Sequence, residues 1–452
     1  MKIPLAPPPL ATLLKGFDSS TLGHYAELML GPLVDGRYFH WDDLRHRKAP
    51  AGLNHESWWF ATKLARTANA KLLPFRDKFD KPFSYTLPEP LLKNLHDIDR
   101  GSGLILAGAP SEDLRIDQGR YLMGSLIEES ITSSQLEGAS TTRRVAETML
   151  RAGRKPQTVS ERMIFNNFEA MRHIREICGE ELEIENIIRL QQILTEGTLE
   201  HAEDCGHIRD RDDIQVVDRP SGLVLHHPPT AVELPNRLDR LCEFANAPIT
   251  DGGFIHPLVR GILLHFMIGY DHPFADGNGR IGRALFYWYM AKQGYWLIEY
   301  LSISSILRQA PAQYARSYLL TETDSGDATY FLLHQTEVIL KALDALHLYL
   351  KKKNQEEQQV NTRLRSLYTQ GRQLNYRQTA LLAHAMKRPE EPFTIESHQR
   401  SHQVAYATAR ADLLYLASLG LLEERIQGRR KKVFFPSSHL SEKLESIDPR
   451  DA

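Results

Sequence analysis

Cysteine is scarce in this 452-residue chain: Cys178, Cys205 and Cys242 are scattered, odd in number, and form none of the CxxC or Cys/His spacings of a structural zinc or redox site. A reducing compartment is expected. Long hydrophobic runs are missing too, since the longest, Ile262 to Tyr270, is broken by His265 and falls far short of the ~20 residues of a membrane span. The start, Met1 to Pro9, holds too many prolines and too little positive charge for a signal-peptide helix. These absences predict a cytoplasmic protein with no membrane partner. Charge of one sign is also lacking: 55 Lys and Arg face 57 Asp and Glu, for a net charge of −2 and a pI near 6.8, which excludes a uniformly basic nucleic-acid coat. With 42% hydrophobic and 25% charged residues, wholesale disorder is excluded as well. No GxxxxGK[ST] phosphate loop occurs.

The length predicts about three domains. Helical periodicity dominates, with Met123, Leu126, Ile127 and Ile131 on one face, and Leu258, Ile262, His265, Phe266 and Gly269 on another. The fold class is therefore mainly α. One exception is Asp213 to Asp218, a turn at Arg219 to Gly222, and Leu223 to His227, which reads as a β-hairpin; Pro229 delays the helix that follows. Later, the polar run Lys351 to Gln359 reads as a solvated linking helix. Beyond it come a predicted helix at Tyr376 to Met386, a short strand at Phe393 to Ile395, a helix at Val404 to Leu419 stopped by Gly420, and a hairpin from Arg425 to Phe435 turning at Gly428. Helices followed by a basic hairpin make a winged helix-turn-helix. The expected divisions are 1–115 (a helical region), 116–345 (the core), 346–372 (a helical linker) and 373–440 (the winged helix). Residues 351–452 hold 18 Lys and Arg against 12 Asp and Glu, so near-neutrality averages a basic tail of net +6 with an acidic body.

Chemistry concentrates at Asp271 to Arg283, between two apolar helical runs. Gly277 and Gly279 flank Asn278 and permit backbone angles that aim several N–H groups into one concavity, and the positive end of a helix starting near Arg280 points at the same place. Arg280 and Arg283 are three apart on one helical face, with forks suited to phosphate oxygens. Asp276 adds a hard carboxylate of the kind Mg²⁺ takes. His272 is suited to remove a proton at neutral pH. Singly, each has a bland reading: a histidine before proline is more often a turn residue, and Asp-Gly-Asn-Gly is more often a surface turn. Together they supply the parts of a triphosphate site.

His272 to Arg283 matches HPFx[D/E]GNGRxxR, and the segment resembles the signature of the Fic family. The resemblance implies a Fic-type helical core with a β-hairpin flap, transferring AMP from ATP to a protein hydroxyl, with His272 as base and Asp276 as Mg²⁺ ligand. It further implies that Asn278 and the Gly277 and Gly279 backbone hold the α-phosphate, Arg280 and Arg283 the outer phosphates, and Phe274 the core anchor. The hairpin, including Ile214, Gln215, Val216 and Val217, resembles the flap that pins a target peptide by strand pairing. Asp271 stands where many members carry an apolar residue. Ser133 to Gly138 fits the family's inhibitory pattern [S/T]xxxE[G/N]; a helix from about Gln118, ending at Gly138, presents Glu137 to Arg283. Tyr314 and Tyr318 lie where the family places part of its adenine pocket, and are equally readable as core aromatics.

Other expectations stay open at this point. Related proteins use the same glutamate to remove AMP, and others transfer UMP or phosphocholine. The chain reads alternatively as a DNA-binding regulator, with Arg400, His402 and Arg410 around a recognition helix and Arg429, Arg430, Lys431 and Lys432 on the wing. The target protein is unspecified, self-modification and a homodimer are both compatible with the sequence, and the N-terminal region carries only weak resemblance.

Overall fold

The computed structural model describes residues 2–14, 31–107, 113–218, 220–248, 253–295, 298, 301–369, 374–387, 392–402, 404–427, 431–438 and 440. They form two compact units, residues 1–346 and 347–452. Leu73 to Ile98 share the first unit's main core, while Val34, Trp41, Leu44, Trp58 and Trp59 pack into a cluster of their own.

In the first unit, α1 (His55–Ala68) starts where the Asn54 side chain accepts from Ser57 N, and it buries Trp58 and Trp59. Next comes an antiparallel hairpin, β1 (Lys71–Arg76) with β2 (Pro82–Tyr85). Sequence reading expected only helices here; Pro74 inside β1 disguises a period-two pattern in which Leu73, Phe75, Phe83 and Tyr85 turn inward. The hairpin is stitched to a distant segment by Ser84 N to Gly326 O (3.1 Å) and Ala328 N to Ser84 O (2.8 Å).

Helices α2 (Glu89–Ala107), α3 (Asp113–Leu136), α4 (Arg143–Ala152), α5 (Val159–Glu176) and α6 (Ile184–Thr195) follow. The end of α3 is the one expected: Gly138 takes φ 105°, and Ala139 N donates back to Ser134 O at 2.9 Å. The hairpin strands β3 (Val216–Asp218) and β4 (Leu223–His226) pair as Val216 with His226, Val217 with Val224 and Asp218 with Leu223, with a bulge after Val216. They are shorter than expected, leaving Ile214 and Gln215 ahead of the paired stretch.

After Pro229 a single 3₁₀ turn precedes α7 (Leu234–Asn246). The centre of the unit is the helical pair α8 (Pro257–Asp271) and α9 (Asn278–Lys292). A Cβ on Gly282 of α9 would lie 3.0 Å from the backbone O of His265, so this close crossing admits glycine alone. Leu263, Phe266, Leu285 and Phe286 fill the surrounding core. Helices α10 (Ile303–Leu307) and α11 (Pro311–Thr323) follow, and α12 (Thr329–Thr369) begins in this unit.

The second unit contains α13 (Tyr376–Lys387), β5 (Phe393–Thr394), α14 (Ile395–His402), α15 (Tyr406–Ser418), β6 (Leu422–Gln427) and β7 (Lys431–Pro436). The strands form an antiparallel sheet in the order β5-β7-β6. Reciprocal bonds between Thr394 and Ser397 start α14 sharply. Buried Asp412 of α15 accepts from Arg377 Nε and Asn375 Nδ2 (both 2.8 Å), Gln378 Nε2 (3.1 Å) and His398 Nε2 (3.2 Å), so one carboxylate joins three helices. The expected turn at Gly428, with Arg429 and Arg430, lies outside the described residues.

Candidate active site

Helix α8 ends where His272 turns into the left-handed region (φ 47°, ψ 57°), a conformation that costs a non-glycine residue about 1–3 kcal/mol. Its N–H still donates to Ile268 O (3.1 Å), and the residue is half-buried. The loop is closed by Asn278, whose Oδ1 accepts from Phe274 N (3.0 Å) and whose Nδ2 donates to Phe274 O (2.7 Å). Phe274 is completely buried, the anchor that the signature implies. The Asn278 side chain is thereby committed to loop closure. Gly277 (φ 93°) opens α9, whose first N–H groups lack helical partners.

Arg280 and Arg283 do not form a joint clamp. Arg280 is buried against Leu194 O (3.0 Å) and Asp276 Oδ2 (3.1 Å). Arg283 reaches α3 instead: Nε donates to Ser133 Oγ (3.0 Å), and Nη2 to Glu137 Oε1 (2.7 Å) and Ser133 O (3.3 Å). Three residues of helix put their side chains one above the other, yet the partners on either side pull the forks apart. Arg283 Nη1 stays buried without a hydrogen-bond partner. A Cβ on Gly279 would overlap Glu137 Oε1 and approach this Nη1 to 3.2 Å, so the Glu137 carboxylate lies directly over the first turn of α9. Burial opposes the charge on Arg283, and Glu137, joined by Tyr314 and Glu129, more than offsets it. The Asp276 carboxylate is half-exposed, with Oδ1 accepting from Gly277 N at 2.6 Å.

Burial lowers the His272 pKa to about 4, and Nδ1 lies 3.3 Å from Gly269 O. A proton on Nδ1 leaves the Nε2 lone pair free for base work. An NMR titration of the ring is expected to give a midpoint near pH 4. The unfolded chain takes up this proton near 6.5, before the folded one does, so this group's contribution to stability is intact above 6.5 and is lost as pH falls toward 4.

Tyr314 and Tyr318 sit together on α11. Tyr314 Oη bonds His265 Nε2 (2.8 Å), and Tyr318 stacks on Phe266 with centroids 5.1 Å apart. Both are partly buried against the core, and Tyr314 also lies within electrostatic reach of Arg283.

Several residues escaped sequence reading. Glu129, a buried carboxylate on α3, accepts from Ser302 Oγ (2.9 Å) and Ser304 N (3.1 Å) and so moors α3 to the start of α10, two turns before Glu137. Asp271, the residue departing from the usual apolar type, is buried and pairs with Arg237 Nη1 at 3.1 Å; burial pushes its carboxyl up to about 7 against the pull of Arg237. Arg209, His226 and Glu322 also converge behind His272. Their sequence spacing carries no signal, because each comes from a different element.

The Fic/DOC family model matches residues 181–290. Among solved structures, a Fic family protein from Desulfovibrio desulfuricans G20 aligns with TM-score 0.50 and 18% identity, covering 78% of this chain and 98% of that one. Residues 134–508 of Fic-1 from C. elegans align at TM-score 0.45 and 16% identity over 58% of this chain and 73% of that one. A Fic domain containing signaling protein from Bacteroides thetaiotaomicron VPI-5482 gives 0.43 and 18%, over 56% and 94%. At such identities a structural likeness speaks for fold alone. The segment 181–290, which carries the β3–β4 hairpin, His272 and the glycine-rich start of α9, matches the Fic/DOC family, in a mainly helical unit with Fic-protein structural neighbours.

Proposed function

We propose that the chain is a protein adenylyltransferase that moves AMP from ATP to a hydroxyl of a target protein or of itself, held in check by Glu137. The observation carrying this reading is the Glu137 carboxylate over the first turn of α9 and on Arg283: an acid just past the end of α3 occupies the place where a helix N-terminus, Gly279 and an arginine would converge on an anion. The hydroxyl oxygen attacks the α-phosphorus, the bond to the bridging oxygen of pyrophosphate breaks, and pyrophosphate leaves. His272 Nε2 receives the hydroxyl proton. Arg283, once released by Glu137, pairs with an outer phosphate.

Asp276 is the residue that would hold Mg²⁺. Its half-exposed carboxylate beside the anion site suits an ion that keeps phosphate and water oxygens as its other ligands. When bound, Mg²⁺ neutralises phosphate charge. The short edge strands β3 and β4 offer backbone groups to a target segment. The test is incubation of the Glu137→Gly chain with labelled ATP and Mg²⁺: protein-bound AMP supports the reading, and none overturns it. Loss of AMP from a premodified target, or attachment of UMP or phosphocholine, would instead favour the related chemistries.

The second unit favours a further role as a winged helix on DNA. Its three helices and β5-β7-β6 sheet support this, as do exposed Arg400 and Arg410, whereas Lys432 is engaged by Glu424 at 2.6 Å. A fragment of residues 361–440 is expected to retard duplex DNA, with binding that weakens steeply as salt rises. No retardation at low salt would remove DNA from the account.

A further inference from the structure

The backbone at the end of α8 is held by side chains from outside it. Tyr270 O accepts from His226 Nε2 at 2.7 Å. His272 O accepts from Arg209 Nε at 2.9 Å, Asp271 O lies 3.5 Å from Arg209 Nη2, and Pro273 O accepts from the Arg209 backbone N at 2.9 Å. Four consecutive carbonyls, from Tyr270 to Pro273, are thus fixed around the left-handed turn of His272. Helix ends leave such carbonyls without partners, and a strained residue persists only where its surroundings over-determine it.

His226 holds a particular place in this arrangement. It is the last residue of β4, paired across the flap with Val216. Its ring is buried, 4.8 Å from the Tyr270 ring, with Nε2 on Tyr270 O and Nδ1 2.7 Å from Glu322 Oε2 on α11. One imidazole therefore joins the flap strand, the end of α8 and α11. Lys78, in the β1–β2 turn, adds two more ties, from its N–H to Tyr270 Oη and from Nζ to His227 O, both 3.1 Å.

We propose that His226 is a positioning residue that couples the flap to the loop bearing His272, so that seating a target strand on the flap fixes the base for proton removal. This rests on the transferase reading above. His226 touches neither nucleotide-binding backbone nor Arg283, so its contribution falls on turnover and not on ATP affinity. Glu322 orients the ring, and Arg209 holds the carbonyl of His272 itself.

The test uses the full chain carrying Glu137→Gly, with His226→Ala or His226→Gln added. Gln Nε2 can still donate to Tyr270 O, and Ala cannot. His226→Ala is expected to lower kcat for AMP transfer about 10- to 100-fold with KM for ATP unchanged, the size of loss that a misplaced catalytic group produces, and His226→Gln to recover most of it. In parallel, hydrogen exchange of amides 268–277 should quicken in His226→Ala and return toward the parent rate in His226→Gln. Should His226→Ala fail to fold, Glu322→Gln is measured instead and should quicken the same exchange to a lesser degree. Unchanged exchange in the folded variants overturns the proposal, as does a rise in KM for ATP that accounts for the lost activity. If the Glu137→Gly parent transfers nothing, the transferase reading fails while the exchange comparison still decides the coupling.

Discussion

His272→Ala, introduced into the Glu137→Gly chain, lowers AMP transfer by about 10²- to 10⁴-fold, the range a positioned general base supplies. ATP binding, read by calorimetry, stays in place, because the anion site is built from the α9 N-terminus and Arg283. On the proposed mechanism the imidazole is ready to act as a base from the moment of binding, since its lowered pKa keeps it neutral across the physiological range and the Gly269 carbonyl favours the proton on Nδ1. A variant retaining full transfer would remove His272 from the chemistry. One that lost transfer together with ATP affinity would point to collapse of the Asn278-clasped loop.

Glu137→Gly is expected to raise self-modification by about 10- to 100-fold, since each 1.4 kcal/mol of ion-pair competition removed is worth a factor of ten. Arg283 then keeps its bonds to Ser133 and gains one free N–H on Nη2 beside the already unpaired Nη1. Without nucleotide the same change should lower the melting temperature, because a buried guanidinium has lost its counter-charge. ATP with Mg²⁺ should restore much of that loss by binding only the folded state. Glu137→Gln, which retains a hydrogen-bonding oxygen without the charge, should fall between the two in activity. Equal labelling of parent and Glu137→Gly chains would remove the inhibitory role.

The groups in the signature were readable from sequence because they act within one turn of chain: a glycine with positive φ before α9, an asparagine clasping its loop, a phenylalanine seated in the core. The Ser133 to Gly138 pattern was equally local, and Gly138 does end α3's cap as its type suggests. Side-chain destinations were not readable. Arg280 and Arg283 share a face by spacing, yet Leu194 O and Asp276 claim one while α3 claims the other, and both claims depend on elements far away in sequence. Arg209, His226, Arg237 and Glu322 were invisible for the same reason. The β1–β2 hairpin was missed because Pro74 argues against a strand wherever an edge position is not already known. In the second unit α13, β5 and α15 were legible to within a residue or two, whereas α14 was not foreseen and β6 starts three residues before the expected hairpin; the Asp412 network that binds the three helices together could be seen only once they were packed.

The β1–β2 turn acquires a further meaning from Arg237. This arginine pairs with Asp271 and also donates to the carbonyls of Arg76 (2.7 Å) and Asp77 (3.1 Å). On the transferase reading, segment 181–290 would contain the reacting groups, while the proposed brake at Glu137 and the strut at residues 76–78 both come from earlier in the chain. Trimming the protein to that segment would sever restraint and support in a single cut, leaving an enzyme licensed to act but poorly held in the posture for acting.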